Sequence, residues 1–272
     1  MHVSNTYPLN NCTNYQLIDD DTSSFIVCIF IKSKSNKVSF TYAVTDLTKQ
    51  HTHTYHLELW QINLDTIVDI IKVLQETYIS LKGIGIGLCG SVHEGIIKNC
   101  EFHSLIHVPL ESILQEKFNT KVLVENEMNL IAYGVYLEQN DLGDATIVVV
   151  SFDKNKYPRS GLVENGSPHV ASKEVFSESY FLPSGFSNNR IHKRSTAVIQ
   201  ASDAVISMVP KLQPKTVVVT GDLLCKADVK DIIMNCSNNI PQLMIPEVIF
   251  RENLDQSYKI GLMERAMELI EL

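Results

Sequence analysis

The residues with the most obvious chemistry stand together at Val124-Glu125-Asn126-Glu127-Met128-Asn129. Val122–Glu125 predicts a short strand and Asn126–Leu137 a helix, so Asn126 falls at the helix cap and Glu127 in the first turn. A capping amide satisfies orphan backbone N–H groups, and a first-turn carboxylate is stabilised by the helix dipole. The chemistry open to such a carboxylate is proton abstraction; the plain alternative is a well-capped helix start. What the chain lacks is a glycine-rich loop for phosphate. Backbone amides must approach phosphate oxygens closely to grip a triphosphate, and glycine permits that approach. The first glycine of the chain is Gly83.

Other polar clusters point to little. His51, His53 and His56 suggest a metal, but on a strand the first two share one face and His56 takes the other. Three ligands on one ion would need a bulge, so an exposed polar strand is the expectation, with no metal. The six cysteines include no C-x-x-C pair, and Cys225 and Cys236 read as core thiols. Asp19-Asp20-Asp21 reads as a solvated turn.

The formal net charge is −8, and Lys and Arg form no long run. Phosphate backbones demand a concentrated cationic face, so direct nucleic-acid binding by this chain is not expected. No apolar run reaches the length that spans a bilayer, and residues 1–20 lack the apolar core of a secretory signal. A cytoplasmic protein with reduced thiols follows.

These residues must be positioned by an alternation of strands and helices. Ser24–Ile31 is a buried-strand pattern; Val38–Val44 and Thr52–Trp60 alternate, predicting three antiparallel strands. Asn63 caps a helix carrying Ile67, Ile70, Ile71 and Leu74. Gly83–Leu88 is a strand, Cys89–Gly95 a loop, and Leu110–Phe118 a helix. The second half repeats the alternation: a strand at Ala145–Val150, a hairpin around Asn165-Gly166, a helix over Thr196–Val209, a strand at Thr216–Val219 and a helix over Ala227–Met234. Leu243–Phe250 is extended and Tyr258–Leu272 helical. The expected fold class is α/β, in two lobes with a cleft between them. The expected organisation is a leader over 1–23, an N-terminal lobe over 24–123 with the helix 258–272 packed on it, and a C-terminal lobe over 124–257.

Four segments in order resemble the ROK family (repressor, open reading frame, kinase). Gly85-Ile86-Gly87-Leu88-Cys89-Gly90-Ser91-Val92-His93-Glu94-Gly95 resembles its G-I-G-x-P-G-x-V-D-x-x-G loop. Val108-Pro109-Leu110 resembles V-P-L, and Val124–Asn129, continuing through Ala132 to Gly134, resembles V-E-N-D-A-N-A-A-A-x-G. Ser160–Gly166, followed by Ser177-Glu178, is similar to the A-G-I-V-I-N-G hairpin and its G-E-I-G-H sequel. The resemblance covers roughly residues 24–272 and implies a two-lobed actin-like ATPase (ribonuclease H-like) fold, shortened here. By position it makes Glu127 the counterpart of the catalytic base, Asn126 and Glu178 contacts to sugar hydroxyls, and Gly90 and Ser91 part of the sugar-pocket loop.

The departures concern phosphate. Where the family's D-x-G-G-T is expected stands Ile31-Lys32-Ser33-Lys34-Ser35-Asn36-Lys37. Its G-T-G-x-G is replaced by Asn155-Lys156-Tyr157-Pro158-Arg159, and its second glycine pair is reduced to Thr220-Gly221-Asp222. Glutamate for aspartate at 127 moves the carboxylate by about one methylene, and a shift of about 1 Å can cost a hundredfold in rate. The zinc motif is absent and Phe181 stands at its histidine, so structural zinc is not expected. The resemblance thus implies a catalytically inactive sugar-sensing or protein-interaction module of a transcriptional regulator, homodimeric, binding a small sugar or sugar derivative and no cofactor. The alternative is an active sugar kinase using ATP and Mg2+ through an atypical nucleotide site.

Overall fold

The computed structural model describes residues 24–34, 37–49, 52–78, 80–139, 143–168 and 190–271. The expected leader over 1–23 lies outside them.

The chain opens with an antiparallel meander: β1 (Phe25–Lys34), β2 (Lys37–Asp46) and β3 (Thr52–Leu59). Every residue of β1 from Phe25 to Ile31 is buried, because the strand is covered on both faces. Val27, Ile29 and Ile31 enter one core; Ile26, Cys28 and Phe30 enter another. That explains an apolar run without alternation. Helix α1 (Leu64–Thr77) is capped by Asn63, whose side chain accepts from Thr66 N–H at 2.8 Å. The helix buries Ile67, Ile70, Ile71 and Leu74 against the sheet. Strand β4 (Leu81–Leu88) pairs parallel with β1, and β7 (Lys121–Asn126) pairs parallel with β4. The five-stranded sheet has the order β3-β2-β1-β4-β7.

Between β4 and β7 the expected loop at 89–95 is instead half of a small hairpin, β5 (Gly90–His93) with β6 (Ile96–Cys100). Helix α2 (Leu110–Phe118) follows, ending at Asn119 in the left-handed region. Since β7 runs to Asn126, the chain leaves the first sheet at Asn126, within the stretch assigned by sequence to the second lobe.

The second sheet contains β8 (Ile147–Ser151), β9 (Arg159–Glu164), β10 (Ser167–Pro168), β11 (Thr216–Thr220) and β12 (Glu247–Phe250), in the order β10-β9-β8-β11-β12. Asn165 and Gly166, both at positive φ, make the tight β9–β10 turn. Helices α4 (Arg194–Leu212) and α5 (Asp228–Ser237) cover its outer face through Val205, Met208 and Ile232. The stretch expected as extended from Leu243 divides into a 3-10 turn at Gln242–Met244 and the shorter β12. Cys236 is buried in this core; Cys225 is only half-buried and accepts from Arg194 at 2.8 Å, which corrects the core reading of that thiol.

Two helices, α3 (Glu127–Glu138) and α6 (Asp255–Glu271), fill the space between the sheets. Their crossing is close enough for backbone contact: Gly134 lies on the Ser257 carbonyl and Gly261 on the Leu130 carbonyl. Helix α6 also packs on the first sheet, with Leu262 and Ala266 against Gly85. Among the described residues, no helix is long and apolar enough to cross a membrane.

Candidate functional site

The β7–α3 junction lies in the interior, between the sheets. The side-chain oxygen of Asn126 accepts from Met128 N–H at 2.7 Å and Asn129 N–H at 3.1 Å, capping α3. Its amide nitrogen donates to the Gly90 carbonyl. Gly90 itself runs so close to Asn99 and Cys100 of β6 that no side chain fits there. Ser91, the next residue of β5, pairs with Asn99 and is half-buried. Gly90, Asn126 and Glu127 therefore converge, with Ser91 beside them; Glu178 lies outside the described residues, as do Tyr180 and Phe181.

Glu127 is buried, with 6% of its surface exposed. Its carboxylate is faced by two cations of this same chain. Arg159, first residue of β9, donates from Nη1 to Glu127 Oε2 at 2.8 Å, and Lys32 of β1 places Nζ 3.6 Å from Oε1. Arg159 also donates from Nη2 to Asp153 Oδ2 at 3.0 Å and from Nη1 to Cys89 Sγ at 3.0 Å. Burial works against the guanidinium charge, but the carboxylates of Glu127 and Asp153 outweigh it and hold Arg159 firmly protonated. Burial likewise opposes ionisation of Asp153; Arg159, with the Ser151 hydroxyl, outweighs that and draws its carboxyl below the usual range. The Cys89 thiol is pushed up to about 12, chiefly by burial, which removes it as a thiolate nucleophile. Lys32 is in turn bound to Asp255 at 2.7 Å and lies 4.9 Å from the centre of the Tyr258 ring. The Tyr258 hydroxyl reaches beneath Gly87, buried and without a hydrogen-bond partner among the described residues.

The β8–β9 connection is the segment whose family counterpart is glycine-rich. Here its backbone amides are used within the protein. Lys154 N–H donates to Asp222 Oδ1 at 2.6 Å, Asn155 N–H to the Ile191 carbonyl at 2.6 Å, and Lys156 N–H to the Asp153 carbonyl at 3.1 Å. Pro158 has no N–H. The loop after β11 adds a carboxylate rather than a cradle, since Asp222 faces this segment from 222 while Gly221 crosses the Phe152 backbone. Tyr157 points outward, 46% exposed, with Arg190 5.5 Å from its ring centre.

The sequence did not reveal Arg159 and Lys32 as partners of Glu127, nor Asp153 as the second partner of Arg159. Lys32 and Arg159 do stand in the two segments where glycines were expected, and two cations replacing two anion loops was the available signal.

The ROK family matches residues 35–154 of this chain. No curated protein matches it. Among solved structures it is similar to the ROK hexokinase of Thermus thermophilus (TM-score 0.64, 13% identity, 89% of this chain and 97% of that one). It is similar to a ROK family transcriptional regulator homologous to the E. coli MLC protein (0.59, 12%, 91% and 81%). A third is a ROK family protein of Streptococcus pneumoniae in complex with sucrose (0.56, 12%, 91% and 98%). The fold is thus the actin-like ATPase fold expected from sequence, over about nine-tenths of the chain.

Proposed function

We propose that this chain, with ROK-family sequence over residues 35–154, is a catalytically inactive member that acts by binding rather than by phosphoryl transfer. It serves as a cytoplasmic sugar-sensing or protein-interaction module of a transcriptional regulator, working as a homodimer. The fold itself is shared by a kinase and a regulator, so it does not choose between them. The choice rests on the chemistry around Glu127.

The observation that carries the reading is the Glu127–Arg159 pair. A general base must present a free carboxylate within reach of the substrate proton. Here one oxygen is taken by a guanidinium at 2.8 Å. Breaking a buried pair costs about 3–5 kcal/mol, about two to four powers of ten in rate if charged to each turnover. The amide usage at Lys154, Asn155 and Lys156 supports the same conclusion from the nucleotide side, as does the carboxylate of Asp222 where a triphosphate would bring further negative charge.

The test is a phosphoryl-transfer assay with ATP, Mg2+ and a panel of hexoses and amino sugars. The expected outcome is no sugar-dependent turnover and no difference between the native chain and Glu127→Gln. Sugar-dependent hydrolysis abolished in Glu127→Gln would establish a working kinase instead.

A further inference from the structure

A second polar recess lies beside the Glu127 cluster, on the inner face of the first sheet. Helix α6 covers that face only in part: Leu262, Ala266 and Ile270 seat on the glycines of β4. The face of β2 and β3 is left as a shelf next to the first turn of α6. The corner between shelf and helix is a cavity of about 280 Å3.

Strand register arranges its walls in rows. Phe30 of β1 pairs with Thr41 of β2, and Thr41 with His56 of β3. Lys32 pairs with Ser39 in the row above, and Ala43 with Thr54 in the row below. Side chains two apart on a strand share a face, so the hydroxyls of Ser39, Thr41 and Thr54 come to one surface with the His56 ring. His56 Nδ1 is 3.0 Å from Thr41 Oγ1. The floor is aromatic: the Phe30 and Tyr258 rings meet edge to face, with centroids 5.0 Å apart.

The charge in the recess is uneven. Lys32 is already held by Asp255 at 2.7 Å and lies near Glu127. Lys259, one turn along α6 from Asp255, also lines the cavity and has no ion-pair partner among the described residues. The lining therefore carries one cation more than it carries carboxylates.

The geometry points to a binding site for a small hydroxylated anion, a sugar acid or sugar phosphate of monosaccharide size. Lys259 takes the anionic group and the row of hydroxyls takes ligand hydroxyls, above a floor whose rings are largely covered by the protein itself. The volume sets the size class, since pockets for larger organic ligands begin at about 300 Å3. The site uses none of the residues that resemble the family's sugar loop, and it stands whether or not the chain binds ATP.

The test is calorimetric titration with gluconate and glucose 6-phosphate as carboxylate and phosphate probes, with glucose as the uncharged control. The expected result is saturable binding of at least one anion and much weaker binding of glucose. Lys259→Gln weakens that anion about tenfold or more, the scale of a lost charge-assisted contact, while Lys259→Arg restores it. Circular dichroism and melting temperature show that both variants fold. A shift of the His56 ring resonances on titration places the ligand in this recess. Absence of saturable binding by both anions overturns the proposal; so does binding of glucose as tight as the anions, or anion binding that Lys259→Gln leaves unchanged.

Discussion

Arg159 is the residue on which the interior chemistry turns, because it holds Glu127 and Asp153 at once. Removing it leaves half-buried Asp153 without its cation and buried Glu127 with Lys32 alone at 3.6 Å. Arg159→Met is expected to cost about 3 kcal/mol or more, read as a lower urea midpoint at pH 7. The pH dependence has a definite sign. The folded-state pKa of Asp153 is depressed, so its contribution to stability is present above the unfolded carboxyl pKa and is lost as pH falls through the folded value. The deficit of Arg159→Met is therefore largest near neutrality and shrinks in acid below about pH 4. Glu125 behaves oppositely. Burial pushes its carboxyl up despite the Asn126 N–H bond at 3.0 Å, so Glu125 costs stability progressively as pH rises above the ordinary carboxyl value and in full once pH passes its folded value. Glu125→Gln should raise the melting temperature at pH 7 and have less effect in acid, where the native side chain is itself protonated. The sequence showed the two cations in the loop segments but not what they pair with. Arg159 and Glu127 are brought together by the meeting of two sheets, and no local periodicity encodes a contact of that kind. Asn126 was legible, since a capping amide before a helical stripe acts within its own turn.

At the scale of elements, the sequence announced what repeats along the chain and hid what depends on contact between segments. The meander β1–β2–β3 was readable because β2 and β3 alternate, and α1 because its apolar stripe keeps helical spacing. The β5–β6 hairpin was not, because strands of four and five residues with half-buried side chains give too short a pattern. The α3–α6 crossing was invisible for a different reason: its signal is two isolated glycines, Gly134 and Gly261, that matter only where the helices touch. A methyl at either position runs into a carbonyl of the opposite helix. Gly134→Ala and Gly261→Ala are each expected to cost about 1–3 kcal/mol by overpacking, despite the better helix propensity of alanine. Equilibrium urea unfolding measures this. An unchanged or higher midpoint would mean that the helices do not cross at backbone distance.

Over the whole molecule, the two segments that the resemblance aligns with phosphate loops are built for other contacts. The β8–β9 connection spends its amides on Asp222, Ile191 and Asp153, and the β1–β2 hairpin extends as ten-residue strands without glycine. What remains is an interior held by ion pairs, with α3 and α6 linking two sheets. Such a body can respond to a ligand only through a difference in affinity between its arrangements. The most direct measurement is a calorimetric titration with ATP and Mg2+, with and without a sugar probe. The account predicts no saturable heat up to nucleotide concentrations of about 5 mM, weaker than about −3 kcal/mol of binding free energy. Saturable binding of ATP–Mg2+ by the native chain would contradict the account.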